Sequence, residues 1–287
     1  TLTVTDTSGN TSSATATVTI EDNIAPNAIA QNITVQLDAS GNAMITPTQI
    51  DNGSNDNCSI VSMTLDISNF SCADIGTNTV ILTVADASGN TDTATAIVTV
   101  QDNIAPTAIA QNITVQLDAS GNATITPAQI DNGSSDNCSI VLSLDRTSFS
   151  CVDIGPNTLT LTATDPLGNT DNATANVTVE DNIAPIAIAQ NIIVQLDASG
   201  NATITTAQID NGSNDNCSIA SMTLDVSTFS CADIGTNTVT LTVTDTSGNT
   251  DTENATVTVE DNIAPLAIAQ NITIQLNASG NATITPA

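Results

Sequence analysis

Apolar and polar residues alternate one by one along short stretches of this chain. Between residues 22 and 101, Ile33, Val35 and Leu37 alternate with Thr34 and Gln36. Val80, Leu82 and Val84 alternate with Ile81 and Thr83, and Ala94, Ala96, Val98 and Val100 alternate with Thr93, Thr95, Ile97 and Thr99. Successive strand side chains point to opposite faces, so period two over about five to eight residues predicts half-buried strands. Thr, Val and Ile suit such surfaces. Ile81 and Ile97 fall on the outward parity. The DASGN segments Asp38–Asn42 and Asp86–Asn90 lie between strand pairs, and Asp, Ser, Gly and Asn supply the side-chain turns and positive φ that hairpins need. No segment has a period of 3.6, and Thr46 to Ile50 has room for one helical turn. The pattern predicts an all-β unit of seven strands, five clear and two short ones within 66–76, arranged as a sandwich.

The pattern repeats. DNIAP begins at Asp22, Asp102, Asp181 and Asp261, at spacings of 80, 79 and 80 residues. A fixed period decides the architecture before anything else. Three full copies are expected at 22–101, 102–180 and 181–260. Residues 1–21 match the C-terminal part of a copy and 261–287 the N-terminal part, so the chain reads as a segment of a longer array. Stacking copies end to end requires the chain to enter at one pole and leave at the other, hence an odd strand number. Units this small bury limited cores and often need staples.

Composition changes the picture in one respect. There are 30 acidic residues, one basic residue (Arg146) and no His, against a hydrophobic fraction of 40%. The alternating Ile, Val and Leu argue against a disordered acidic chain. Phosphate contacts need Lys or Arg, so nucleic acid is excluded as a partner. No stretch approaches 18 consecutive apolar residues, so direct membrane insertion by this segment is not expected.

Each copy has two cysteines: Cys58 with Cys72, Cys138 with Cys151, and Cys217 with Cys231. Two per copy, without His, suits one disulfide within each copy better than zinc. A bridge across 58–72 would fold 59–71 into a closed hairpin and contribute roughly 3 kcal/mol. Persistent disulfides imply an oxidising compartment.

At this point the residues resemble a known family. NITV, then Gly-x-Ala, Asp-Asn, a Phe, the run Gly76 through Asn90, and a closing Val-Thr-Val-x-Asp-x-x-x-Pro resemble the hyalin-repeat (HYR) module. The last strand lacks the Cys commonly seen there, and the Cys pair sits elsewhere. The resemblance implies tandem immunoglobulin-like or fibronectin-III-like β-sandwich repeats forming an extended rod, in an extracellular adhesion protein. Near-identical copies and a Thr/Asn/Asp-rich, Lys-free composition are also similar to giant surface adhesins of gliding flavobacteria, of the SprB type. That likeness implies an extracellular, bacterial cell-surface location.

Asp makes up 26 of the acidic residues and recurs at turn positions, in the first copy at 51, 56, 66, 74, 86 and 92. Calcium takes six to eight oxygens from Asp, Asn and carbonyls on flexible loops. The joint Glu21-Asp22-Asn23-Ile24-Ala25-Pro26 resembles the calcium-binding inter-domain linker of cadherins. In an immunoglobulin-like unit the first strand starts at the pole carrying two loops, here Asp51–Cys58 and Asp86–Asn90. The expected calcium sites are Asp22 and Asn23 with Asp56 and Asp86; Asp102 and Asn103 with Asp136 and Asp165; and Asp181 and Asn182 with Asp215 and Asp245. Glu21, Glu180 and Glu260 are further candidates, with Gln101 at the same position. The same Asp and Asn residues also cap turns with no metal at all. Almost no cation in the chain offsets the acidic self-repulsion, which favours a bound metal.

Catalysis is not expected. There is no His, Lys, Tyr or Trp, and nucleophilic catalysis needs an activating base. The three Phe residues, Phe70, Phe149 and Phe229, suit core positions better than sugar stacking. The leading reading is a stalk or fibre segment of an adhesin presenting itself to a surface, glycan or protein ligand. The alternatives are a laterally self-associating filament or matrix protein, and a calcium-dependent glycan-binding module.

Overall fold

The structure, a computed structural model, describes residues 1–285. A short hairpin, β1 (Leu2–Thr5) with β2 (Thr11–Ala14), opens the chain. Copy 22–101 then forms β3 (Ile33–Gln36), β4 (Asn42–Met44), α1 (Pro47–Ile50), β5 (Ile60–Leu65), β6 (Asn69–Ser71), β7 (Gly76–Asp86) and β8 (Thr91–Gln101). One sheet has the order β3-β8-β7-β5, and β4 pairs with β6 in a second. β3 runs parallel to β8, while the other neighbours are antiparallel. This is an immunoglobulin-like sandwich. The same order recurs in the second copy, with β9 (Ile113–Gln116), β10 (Asn122–Thr124), α2 (Pro127–Ile130), β11 (Val141–Leu144), β12 (Ser148–Ser150), β13 (Gly155–Thr164) and β14 (Thr170–Glu180). It recurs again with β15 (Ile192–Gln195), β16 (Asn201–Thr203), α3 (Thr206–Ile209), β17 (Ile219–Leu224), β18 (Thr228–Ser230), β19 (Gly235–Asp245) and β20 (Thr250–Glu260).

The alternation sets the faces. Val80, Leu82, Val84 and Val98 are fully buried, whereas the outward Ile81 and Ile97 are 38% and 46% exposed. These residues pack with Leu37, Ile45, Ile50, Phe70, Ala96 and Val100 between the two sheets. Burying each large side chain contributes about 1.5–3 kcal/mol. In the third copy Val239, Leu241, Val243, Val257 and Phe229 take the same places. Segment 66–76 holds one strand, β6, where two were expected. Beyond it Asp74 accepts hydrogen bonds from the Ser71 N–H and hydroxyl, and this cap turns Cys72–Asp74 into a single 3-10 turn. The stretch 27–30 forms no regular strand; isolated bridges, Asn27 to Asn55 and Ala30 to Asp51, and hydrogen bonds from the Ala28 and Ile29 N–H groups to Asp92 and Ser54 hold it to the sandwich.

The described residues divide into two compact units, 1–114 with 124–148 and 155–178, and 115–123 with 149–154 and the residues from 179 onward. The division falls inside copy 102–180.

The disulfides depart from the expectation. Cys72 is bonded to Cys138 and Cys151 to Cys217, each pair 66 residues apart and in successive copies. Cys58 and Cys231 are free and exposed. None of the pairs 58–72, 138–151 and 217–231 forms. The reason is the length of β7. Ile60, just after Cys58, pairs with Asp86 at one end of β7, while Cys72 precedes Gly76 at the other. Eleven residues of strand separate those ends by about 33 Å, far beyond the roughly 7 Å a disulfide spans. The segment 59–71 is no closed hairpin either, because β5 pairs with β7 and β6 with β4.

Candidate functional site

At the start of each copy three carboxylates converge. Asp22, Asp56 and Asp86 each offer an oxygen within 4.8 Å of the others, as do Asp102, Asp136 and Asp165, and Asp181, Asp215 and Asp245. The first of each trio comes from the DNIAP joint, the second from the loop before β5, β11 or β17, and the third from the end of the following long strand. The antiparallel register that sets Ile60 opposite Asp86 brings the second and third together.

Asparagines lace the cluster. Asn90 Nδ2 donates to Asp86 Oδ2 at 2.7 Å and to the Asp22 carbonyl at 2.9 Å, and Asn169 and Asn249 repeat this. Asn137 Nδ2 donates to Asp102 Oδ1 at 3.2 Å, and Asn216 likewise to Asp181. Asp86 Oδ1 accepts the N–H groups of Ser88 and Asn90. Several oxygens remain buried with no hydrogen-bond partner: Asp56, Asp136 and Asp215 Oδ1, Asp102 and Asp181 Oδ2, and Asn137 and Asn216 Oδ1. Asp102 is 1% exposed. Backbone donation by Ile24, then the Cys58 thiol and the Asn57 amide, hold the Asp22 carboxyl below its ordinary value. The reciprocal contact with Asp22, reinforced by the charges of Asp22, Asp56 and Asp86, pushes the Cys58 thiol up. At Asp165, desolvation is the largest influence and pushes upward. Hydrogen bonds from Asn169, Leu167 and Gly168 together outweigh it and lower the carboxyl.

Other candidates sit elsewhere. Asn182 donates to Gln116 Oε1. Glu180 and Glu260 accept from Gln116 and Gln195. Gln101 accepts the same bond from Gln36, which explains why a neutral residue serves at that position. Four of the six recurrent Asp positions only shape the backbone. Asp51 binds Ser54, Asp66 the Ile67 and Ile81 N–H groups, Asp74 Ser71, and Asp92 the Ala28 N–H. The asparagines at 57, 90 and their equivalents, which the expected sites do not include, also reach the cluster. The available signal is their fixed spacing from an Asp in every copy: Asn57, Asn137 and Asn216 one residue after it, and Asn90, Asn169 and Asn249 four residues after it. Arg146 donates from Nε to the Ser148 carbonyl and from its guanidinium to Asn157 Oδ1.

The disulfide lies beside the cluster. Cys138 is two residues from Asp136, and the intervening Asn137 also donates to the Asp38 carbonyl of the preceding copy at 3.1 Å. The Asp38–Asn42 turn is therefore a platform for the next copy as well as a strand connection. Gly41 shows how tight the seat is. Its φ is +72°, and a Cβ there would meet Cys72 Sγ at 2.6 Å and the Asn137 carbonyl oxygen at 2.7 Å. Gly121 repeats this against Cys151 and Asn216. Two disulfides fit an extracellular, oxidising setting. Among the described residues no helix is long and apolar enough to cross a membrane.

No protein-family model matches the chain, and no curated protein does. Among solved structures the chain is similar to mouse cadherin-23 domains EC22–24, with 14% identity, 83% of this chain and 99% of that one covered, and a TM-score of 0.33. It is similar to the I-band fragment I67–I69 of titin at 11% identity, 83% and 99% coverage and a TM-score of 0.33. It is also similar to protocadherin gamma B7 extracellular cadherin domains 1–4 at 13% identity, 82% and 76% coverage and a TM-score of 0.30. At these scores the likenesses carry no weight for fold or function, and the fold rests on the sheet order described above.

Proposed function

We propose that this chain is a structural stalk segment of a secreted or cell-surface adhesin, its copies stapled by disulfides and stiffened by calcium at the joints. The observation that carries the calcium reading is the set of buried, unpartnered oxygens at Asp102, Asp136 and Asn137, repeated at Asp181, Asp215 and Asn216. Buried carboxylates this close repel one another unless a cation or protons intervene. Arg146, the one cationic side chain, is engaged at Ser148 and Asn157. The donors are all oxygen, which suits a hard divalent ion. Asp102, Asp136 and Asp165 would hold it in copy 102–180, with Asn137 Oδ1 as a further ligand, and the corresponding residues would do so in the other copies. Bound there, calcium neutralises the cluster and ties the joint to two loops of the copy that follows. A bacterial surface as the setting rests on the composition and the repeat style.

Thermal melting and titration calorimetry test this. Calcium at about 100 times its Kd should stabilise each site by about 2.7 kcal/mol. Asp136→Asn should remove one site's heat, and Asp66→Asn none. An unchanged melting temperature in calcium and in chelator, with no binding heat, would overturn the calcium reading.

A further inference from the structure

Resting on the calcium reading, we propose that each inter-copy disulfide positions the cation site beside it, through Asn137 at one joint and Asn216 at the next. Metal affinity and the bond's resistance to reduction then rise and fall together.

Asp136, Asn137 and Cys138 carry the link. Asp136 divides its carboxylate: Oδ2 accepts the Cys138 N–H at 3.1 Å, and Oδ1 is left buried without a partner. Asn137 is held at both ends. Its Nδ2 donates to Asp102 Oδ1 at 3.2 Å and to the Asp38 carbonyl at 3.1 Å. Its own carbonyl oxygen lies 3.5 Å from Cys72 Sγ, against the floor that Gly41 provides. Asn137 Oδ1 is then buried and unpartnered, as is Oδ2 of Asp102, a residue only 1% exposed. Two of these three orphaned oxygens belong to the residues immediately before Cys138, and the third to the carboxylate that Asn137 holds.

The next joint is built alike. Asp215 Oδ2 accepts the Cys217 N–H at 2.9 Å. Asn216 Nδ2 donates to Asp181 Oδ1 at 3.1 Å and to the Asp118 carbonyl at 3.3 Å, and its carbonyl oxygen lies 3.6 Å from Cys151 Sγ. Asp181, Asp215 and Asn216 keep the same orphaned oxygens.

An intact bond clamps the loop before an ion arrives. Opening it frees Cys138 from Cys72, so Asp136 and Asn137 must be ordered during binding. Ordering two side chains on binding instead of beforehand is worth about tenfold in affinity. Coupling between two equilibria is reciprocal, so a bound ion favours the closed bond by the same factor. Opening proceeds by exchange with a dithiol. One thiolate of dithiothreitol attacks a sulfur, giving a mixed disulfide and releasing one cysteine. Its second thiol displaces the other cysteine. Two electrons and two protons pass to the cysteines, and dithiothreitol leaves as a cyclic disulfide.

The test reads both equilibria. Calorimetric titration with calcium chloride compares the oxidised chain with the Cys72→Ser, Cys138→Ser double variant. The expected result is a loss of about tenfold in affinity at one site, and none at the site of copy 181–260. In the second readout the unsubstituted chain is equilibrated with dithiothreitol, in excess calcium or in chelator, and the opening of each bond is counted by alkylation and mass spectrometry. Calcium should raise by about tenfold the ratio of reduced to oxidised dithiothreitol that half-opens each bond. Asp136→Asn should abolish this response at Cys72–Cys138 and leave it at Cys151–Cys217. Asn137→Ala should cut it at Cys72–Cys138 to less than about twofold. Should the double variant lose its β circular dichroism, the dithiothreitol readout decides. Binding heat with no dependence on the bond, or half-opening at one ratio with and without calcium, overturns the proposal and leaves the calcium reading standing. No heat from the oxidised chain overturns both. A response that survives Asn137→Ala undiminished acts through overall stability and overturns the route through the loop.

Discussion

Replacing Cys72 and Cys138 together by Ser tests the inter-copy staple directly. The bond closes a separation of 66 residues. In the chain-entropy relation a loop of that length stabilises by about 4.3 kcal/mol at 25 °C, against roughly 3 kcal/mol for a 14-residue loop inside one copy. The closed loop contains β7, β8, the joint, β9, β10 and α2, so unfolding either copy in full must work against the cross-link. With a urea slope of about 2 kcal/mol/M, the double variant should lose about 2 M in midpoint for the transition that melts copies 22–101 and 102–180. Cys58→Ser, which removes a free thiol, should leave the midpoint of the monomeric chain within about 0.3 M of its starting value. Equilibrium urea unfolding followed by circular dichroism measures both. The reasoning fails if the double variant keeps the original midpoint, or if digestion of the unreduced chain yields Cys58 joined to Cys72.

Two further outcomes follow from the joint and the turns. Gly121→Ala places a Cβ 2.5 Å from Cys151 Sγ and 2.7 Å from the Asn216 carbonyl, so Cys151 and Cys217 should fail to close, adding two titratable thiols. Gly133→Ala shares a positive φ of +96° with open space around it, so it should cost only about 1–2 kcal/mol and leave the thiol count unchanged. Acid should weaken the fold through the loop aspartates. Asp51, Asp131 and Asp210 are held below the ordinary 3.8 first by the Ser54, Ser134 and Ser213 side chains. A lowered folded value means stability that is present above about pH 4 and is lost as pH falls through the depressed values. Melting temperature in chelator should therefore fall between about pH 4 and 2, less so in the triple Ser→Ala variant. A melting temperature flat over that range in the parent chain would refute this.

Much of the unit was legible because its signals are local. Alternation at 80–84 and 94–100 gave the buried face directly, and DASGN and the single helical turn at 47–50 followed from residue chemistry. The convergence of Asp22, Asp56 and Asp86 followed from assigning each loop to a pole. The pairing of the cysteines could not be read that way. Two cysteines per copy satisfy a closed bond within the copy and a chain of bonds between copies equally well. Only the sheet register, which sets Cys58 and Cys72 at opposite ends of β7, separates the two. The partial strand at 66–76 was misread for a related reason. Asp74 is hydrophilic in any pattern, and its role as a cap appears only when Ser71 is in place.

The staples also redraw the path that tension takes. Between Cys138 and Cys151 lie only β11, β12 and the turns around them, and at both cysteines the covalent route leaves the main chain for a neighbouring copy. A pull along the array would travel through that stretch of 13 residues and bypass the two longest strands, the acidic joint and the first part of each sandwich. A copy of ordinary connectivity and this size would yield about 280 Å of slack when drawn out. Here the extension is limited to about 50 Å, roughly 45 Å of main chain plus the 5.5 Å between bridged Cα atoms. A tether built this way stays short even after its domains lose their fold.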